Sequence, residues 1–224
     1  MIFSKLRLSL FVIVTLLLIV LSYLFVDKSV SLYFIEHADS YKVFGKFVSK
    51  LGESHWYIGI ALLGIIYYKY FKENELYRQR FLFLLYVNLF SGVISVISKM
   101  LIGRLRPWKL ENGGDEYGFL MTQNPDFTLW QNITYQVDII LKNSTHYTSF
   151  PSGHTTTSMA VFTYMMLLFP KQYYIWVPIT LLAVSARVLA NDHFISDLLA
   201  GMLVGVLSTL FICSKMKEKI EKVY

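Results

Sequence analysis

Long apolar runs alternate with short polar breaks along this chain. Six runs, at 8–26, 56–71, 81–102, 155–169, 173–190 and 195–213, approach or reach the length at which an apolar helix crosses a bilayer. The second and fourth are short for a span and extend through His55 and Ser152. The pattern predicts an all-α fold: a six-transmembrane-helix bundle forming one integral-membrane domain over residues 1–224. Between the first two runs, residues 27–54 mix Leu32, Phe34, Val43, Phe44, Phe47 and Leu51 with charges, which predicts an amphipathic outer segment at the interface. A long outer loop, 108–150, precedes the fourth run and carries Trp108, Tyr117, Phe119, Phe127, Trp130, Tyr135 and Tyr147. It reads equally as an interfacial aromatic belt and as a lid over a lipid headgroup.

Smaller features refine the bundle. The first run follows Lys5 and Arg7 like a signal peptide, but it is longer than a signal core and ends without a small-x-small cleavage site, so an uncleaved first span is expected. In the third run Asn88, Ser91, Gly92, Ser95 and Lys99 recur every three or four residues and share one helix face. Such a face is expected to pack inside the bundle and to lead up to Lys99. Gly201 and Gly205 in the last run predict close approach of a neighbouring helix.

Composition agrees with a membrane domain: the 224 residues are 55% hydrophobic, with mean hydropathy +0.48. The net charge of +6 suits anionic lipid headgroups or phosphorylated substrates. No basic run is interleaved with aromatics on a soluble surface, so no nucleic-acid partner is expected. The single cysteine, Cys213, excludes an intrachain disulfide. Six spans put both termini on one side. Eleven cations then fall on that side and ten on the other, so the positive-inside rule barely votes; the termini are expected in the cytoplasm if function holds the cations of the outer side.

Three of the outer cations, Lys99, Arg106 and Arg187, fall in three clusters at span ends: Lys99 with Arg106-Pro107, then Pro151-Ser152-Gly153-His154, then Arg187 with His193 and Asp197. Snorkelling to headgroups explains a single Lys or Arg near a span end, but not three cations converging with two histidines. Arginine presents a planar fork of donors that matches phosphate oxygens. Ser152 is placed as an N-cap, the free amides behind it form an anion site, and Gly153 lets backbone approach an oxyanion. Taken alone, the tetrapeptide is equally a capped helix start with an interfacial histidine. His193 and Asp197 are four apart on one helix face, so the carboxylate can hold Nδ1 and leave Nε2 free to attack. The plainer alternative is an interfacial pair. A metal site of His154, His193 and Asp197 is the rival chemistry; three cations around it would repel a divalent metal and favour a dianion. No metal and no cofactor are expected.

The order Lys-x6-Arg-Pro, Pro-Ser-Gly-His and Arg-x5-His-x3-Asp, from Lys99 to Asp197, resembles the type 2 phosphatidic acid phosphatase (PAP2) superfamily. The resemblance implies a metal-independent lipid phosphatase. It makes His193 the nucleophile that forms a phosphohistidine, Asp197 its orienting carboxylate and His154 the acid for the leaving oxygen. Lys99, Arg106, Ser152, Gly153 and Arg187 would bind the phosphoryl oxygens. The family usually has Ser directly before the third-motif arginine; here Ala186 stands there, with Ser185 one residue earlier. Vanadium-dependent haloperoxidase relatives share the site but are typically soluble, and this hydrophobic chain argues against that branch. The long loop before the Pro-Ser-Gly-His motif resembles bacterial envelope enzymes that dephosphorylate lipid A; undecaprenyl diphosphate and phosphatidylglycerol phosphate are the other expected substrates. The implied place is the bacterial inner membrane, with the site on the periplasmic or outer face and a phosphorylated membrane lipid as partner. A non-catalytic or transport-type membrane protein on the same fold is the alternative.

Overall fold

A computed structural model of the protein describes residues 4–112, 117–120 and 126–221. The expected loop therefore falls partly, at 113–116 and 121–125, outside the described residues. The described chain is helical, apart from isolated bridges that join Arg104 to Phe119 and to Thr148. Four helical stretches are long and apolar enough to cross a membrane: Lys5–Glu36, Glu75–Ile102, Pro170–Leu189 and Ile195–Lys217. The first is one rod of α1 (Lys5–Leu21), a π-turn (Ser22–Val26) and α2 (Asp27–Glu36), so the first run continues about ten residues past its expected end. Helix α5 (Glu75–Ile102), α9 (Tyr173–Leu189) and α10 (Ile195–Glu221) supply the others. The two short runs become α4 (Ser54–Tyr70) and α8 (Gly153–Leu168), of 17 and 16 residues.

Segment 27–54 is not one interfacial stretch. Its first part extends α1, and α3 (Ala38–Ser49) packs across the C-terminal end of α9. Gly45 makes that crossing possible, because a Cβ there would lie 2.7 Å from the Ala190 amide nitrogen and 2.8 Å from the Ala186 carbonyl oxygen. Val48 and Ser49 are buried on the same side, while Val43, Phe44 and Phe47 face outward. The outer loop is also structured where it is described. A 3-10 turn covers Pro107–Asn112, a capping box of Thr128 and Gln131 starts α6 (Leu129–Lys142), and α7 (Ser144–Tyr147) follows. Helix α6 buries Asn132, Gln136 and Ile140 and exposes Leu129 and Trp130 at 67% and 72%. Its outer face also carries Gln131, Thr134 and the exposed Lys142–Asp138 ion pair, a mixture of apolar and charged side chains that suits a helix at the membrane–water interface.

The small-residue stripe on α10 sets the position of α8. A Cβ at Gly201 would sit 2.6 Å from the Ser152 carbonyl oxygen, and one at Gly205 would sit 2.9 Å from the Ala160 amide. Thr209 Oγ1 donates to the Ala160 carbonyl at 3.1 Å, tying the same two helices one turn further on. On α5, Asn88, Ser91 and Ser95 are buried as expected, but nothing lies within 4 Å of a Cβ built at Gly92. The apolar core of Ala61, Phe83, Leu84, Val87, Ala160, Val161, Tyr164, Leu167, Leu168 and Met216 fills the half of α4, α5, α8 and α10 nearer the chain termini. The other end is left to polar groups.

Candidate active site

That polar end gathers the C-terminal ends of α5 and α9 and the N-terminal ends of α8 and α10. Helix α5 stops at Gly103, whose φ of +50° and close contact with Leu120 admit no side chain without strain. The turn leaves Lys99 in the last turn of α5 and sends Arg104 and Arg106 beyond it. Backbone bonds from Arg104 N to the Tyr147 carbonyl (2.9 Å) and from Arg106 N to the His146 carbonyl (2.8 Å) stitch this segment to the one before α8. Lys99 Nζ donates to the Thr148 carbonyl at 3.0 Å.

Ser152 caps α8, accepting from the Thr155 amide at 3.4 Å, and its own N–H donates to the Asp197 carbonyl at 3.0 Å. The α8 amides and the start of α10 are thereby locked together. A Cβ at Gly153 would stand 3.8 Å from Lys99 Nζ and 3.8 Å from Ser95 Oγ, so the missing side chain keeps open the space between the lysine and the helix start. His154 feels the charges of Arg187, Lys99 and Arg106 together. Its backbone and Cβ pack against Gly52 at the head of α4.

His193 lies in the loop between α9 and α10, almost fully buried. Its Nδ1 is 3.6 Å from Asp197 Oδ2, just beyond a full hydrogen bond. Ser149 bridges the gap: its hydroxyl donates to that carboxylate oxygen at 2.6 Å and lies 3.5 Å from Nδ1. With Nδ1 turned to this pair, Nε2 is the nitrogen left for chemistry. Burial first, and then the Arg187 and Arg106 guanidiniums, hold the imidazole well below the usual histidine range against the pull of Asp197. Both effects favour the uncharged form of the ring.

The structure thus brings together every residue of the three clusters: Lys99, Arg106, Ser152, Gly153, His154, Arg187, His193 and Asp197. Arg187 donates to Asp192 at 3.1 Å, and both Arg187 Nε and Arg106 Nε are buried without a partner among the described residues. Buried donors left over on two guanidiniums, beside a lysine and a capped helix start, make a site for an anion with several oxygens.

Residues 80–221 match the PAP2 superfamily. The chain belongs to that superfamily. Among curated relatives of this PAP2 protein are the "Lipid A 1-phosphatase" of Rhizobium etli, 28% identical over 76% of the chain and 69% of the relative, and that of Rhizobium johnstonii, 26% identical over 73% and 63%. No solved structure matches the chain. At the departure from the PAP2 pattern, Ala186 is fully buried and its backbone carbonyl lies against Gly45 of α3. Ser185 does not replace the usual serine, since it is exposed and donates to the Leu182 carbonyl within its own helix.

Three further residues of this PAP2 site lie outside the expected set. Arg104 is fully buried and donates to Asp197 Oδ1 at 2.5 Å, Ser196 Oγ at 2.7 Å and Asp27 Oδ2 at 2.9 Å. Asp27 also accepts from the Ser196 amide at 3.0 Å and from its hydroxyl. Ser149 is the third. A charged residue at the end of the first apolar run and a second arginine inside Lys99–Arg106 were the available signals for Asp27 and Arg104. Nothing in the sequence around Ser149 marks it.

Proposed function

We propose that this PAP2 protein is a metal-independent phosphatase of a phosphorylated membrane lipid, working through a phosphohistidine. The observation that carries the reading is the convergence of Lys99, Arg106, Arg187 and the α8 start on one side of a buried His193 backed by Asp197. In this scheme Nε2 of His193 attacks phosphorus, the bond to the leaving oxygen breaks, and His154 gives that oxygen its proton. Water, deprotonated by His154, then cleaves the phosphorus–nitrogen bond and releases phosphate. The three cations and Ser152-Gly153 hold the non-bridging oxygens throughout. A metal on His154, His193 and Asp197 is disfavoured because Arg104, Ser149 and the Phe194 amide already take up the Asp197 carboxylate.

The lipid context rests on the four membrane-length helices and on the apolar side chains exposed along them, such as Ile13, Leu17, Val93, Val96 and Leu181. With α4 and α8 as short additional spans, the chain makes six crossings, and the site faces the outer side of the bacterial inner membrane. The two curated relatives act on lipid A, which makes lipid A the first substrate to test, ahead of undecaprenyl diphosphate and phosphatidylglycerol phosphate. Purified protein in detergent is expected to release phosphate from one of the three in the presence of EDTA. His193→Ala is expected to abolish release, and an acid-labile, base-stable phosphoryl label should be trapped on wild type and not on that variant. Release from none of them, restoration only by a divalent metal, or a label on His154 would refute the reading. Phosphate release also separates it from a transport protein on the same fold.

A further inference from the structure

A cavity of about 390 Å³ opens beside the site, lined by Lys42, Lys46, Arg106, Trp108, Thr145, Ala190 and Asp192. Arg106 belongs to both, so whatever fills the cavity is one side chain away from the group held by Lys99 and Arg187. The charge in the cavity is unbalanced. Asp192 is the one carboxylate among the described lining residues, and it already pairs with Arg187 at 3.1 Å. Lys42 and Lys46 have no ion-pair or hydrogen-bond partner among the described residues.

The placement of these lysines follows from the fold. Gly45 seats α3 against α9, and Phe44 and Phe47 point away from the bundle. Lys42 and Lys46, four apart, form the remaining face, the one over the cavity. Both lysines of α3 thus stand at the rim of the cavity with the half-buried Arg106, where their charges add to its charge. The volume falls in the range of ligand sites and exceeds what one phosphoryl group needs.

We propose that this cavity binds a second anionic group on the substrate headgroup. The site would then prefer a lipid phosphate that carries another phosphate near the reacting one over a lipid with a single phosphate. Lys42 and Lys46 would take the second anion, Arg106 would touch both groups, and Trp108 would wall the headgroup between them. This rests on the phosphatase reading and adds to it a specificity that the catalytic residues do not supply.

The test compares matched substrates in detergent: phosphatidylglycerol phosphate against phosphatidic acid with the same acyl chains, and lipid A with and without its distal phosphate. The first pair probes a nearby phosphodiester and the second a distant monoester. In a Lys42→Gln/Lys46→Gln variant, kcat/KM is expected to fall about tenfold more on phosphatidylglycerol phosphate than on phosphatidic acid, and Lys42→Arg/Lys46→Arg should restore it; a differential loss confined to the lipid A pair would overturn the placement of the second anion next to the reacting one. Both lysines are exposed, so the folded state should survive these changes. Equal losses on both members of both pairs, or no loss, would overturn the proposal and leave the phosphatase reading intact. Hydrolysis of none of the four by wild type would overturn this proposal, and the phosphatase reading would fall with it only if undecaprenyl diphosphate also released no phosphate.

Discussion

At Asp197 one carboxylate oxygen serves His193 through Ser149 and the other is held by Arg104, whose second amine group reaches Asp27. The three charges alternate in sign and are essentially inaccessible to water. Removing one partner from such a buried arrangement costs about 3–5 kcal/mol, since it strands a charge. The Arg104 fork is taken up by Asp197, Ser196 and Asp27, which suits it to position the Asp197 carboxylate rather than to hold an anion. Lysine preserves its charge but has no fork with which to reach both carboxylates. Arg104→Lys is therefore expected to lower kcat about 10²-fold, by misplacing the acceptor of a catalytic imidazole, and to leave KM within about twofold. Steady-state kinetics on a lipid phosphate decides this, with thermal unfolding as the check that the variant is folded. Turnover near that of wild type would show that Asp197 is positioned without Arg104.

Helices enter the site through where they touch, and glycine decides that for α8 and α10. Gly201→Ala forces a methyl group onto the Ser152 carbonyl and pushes apart the two helix starts that share the Ser152–Asp197 backbone bond. Overpacking of this kind costs about 1–3 kcal/mol. Gly92→Ala, in the interior of α5 with open space around it, should stabilise by about 0.5–1 kcal/mol. Thermal unfolding in detergent should separate the two variants, with activity lost in the first only; equal effects would mean that helix spacing is set elsewhere. The same pair shows what the sequence could and could not reveal. Spacing put both glycines on small-residue faces, but only coordinates show which face meets backbone. The three clusters were legible because each pairs a chemically distinctive residue type with a helix end, and alternating spans bring such ends together. Arg104 and Asp27 were not, because their partnership spans 77 positions and neither residue departs from what an ordinary interfacial charge looks like. For α3 the mixed pattern was read as a surface helix, whereas Gly45 makes it a wall of the site.

Over the whole molecule, apolar side chains cover much of the outside. Leu63 and Phe71, along and at the end of α4, and Val43 on α3 are exposed at 71% to 78%, and the buried apolar cluster is confined to one end. In water this distribution would be a large aggregation surface; in a bilayer it is the expected boundary with lipid. The bundle then has two chemically different ends. One carries the catalytic groups, α3, α6 and α7. The other carries the α4–α5 turn with Lys69, Lys72, Arg78 and Arg80, together with Lys215, Lys217 and Lys219 near the end of α10. That second end holds the denser run of cations in short connections and is expected to face the cytoplasm, which sends the site to the outer side. Two positions test this without touching the chemistry. Asn143 is exposed at the end of α6, and Asn74 caps the start of α5 at the opposite end. In a Cys213→Ser background, Asn143→Cys should react with a membrane-impermeant maleimide in intact spheroplasts, and Asn74→Cys should react only after lysis. The reverse pattern would turn the bundle over and place the phosphate site among cytoplasmic substrates. Labelling of both before lysis would mean that the α4–α5 connection is not sealed behind the membrane, and the six-crossing arrangement would fail with it.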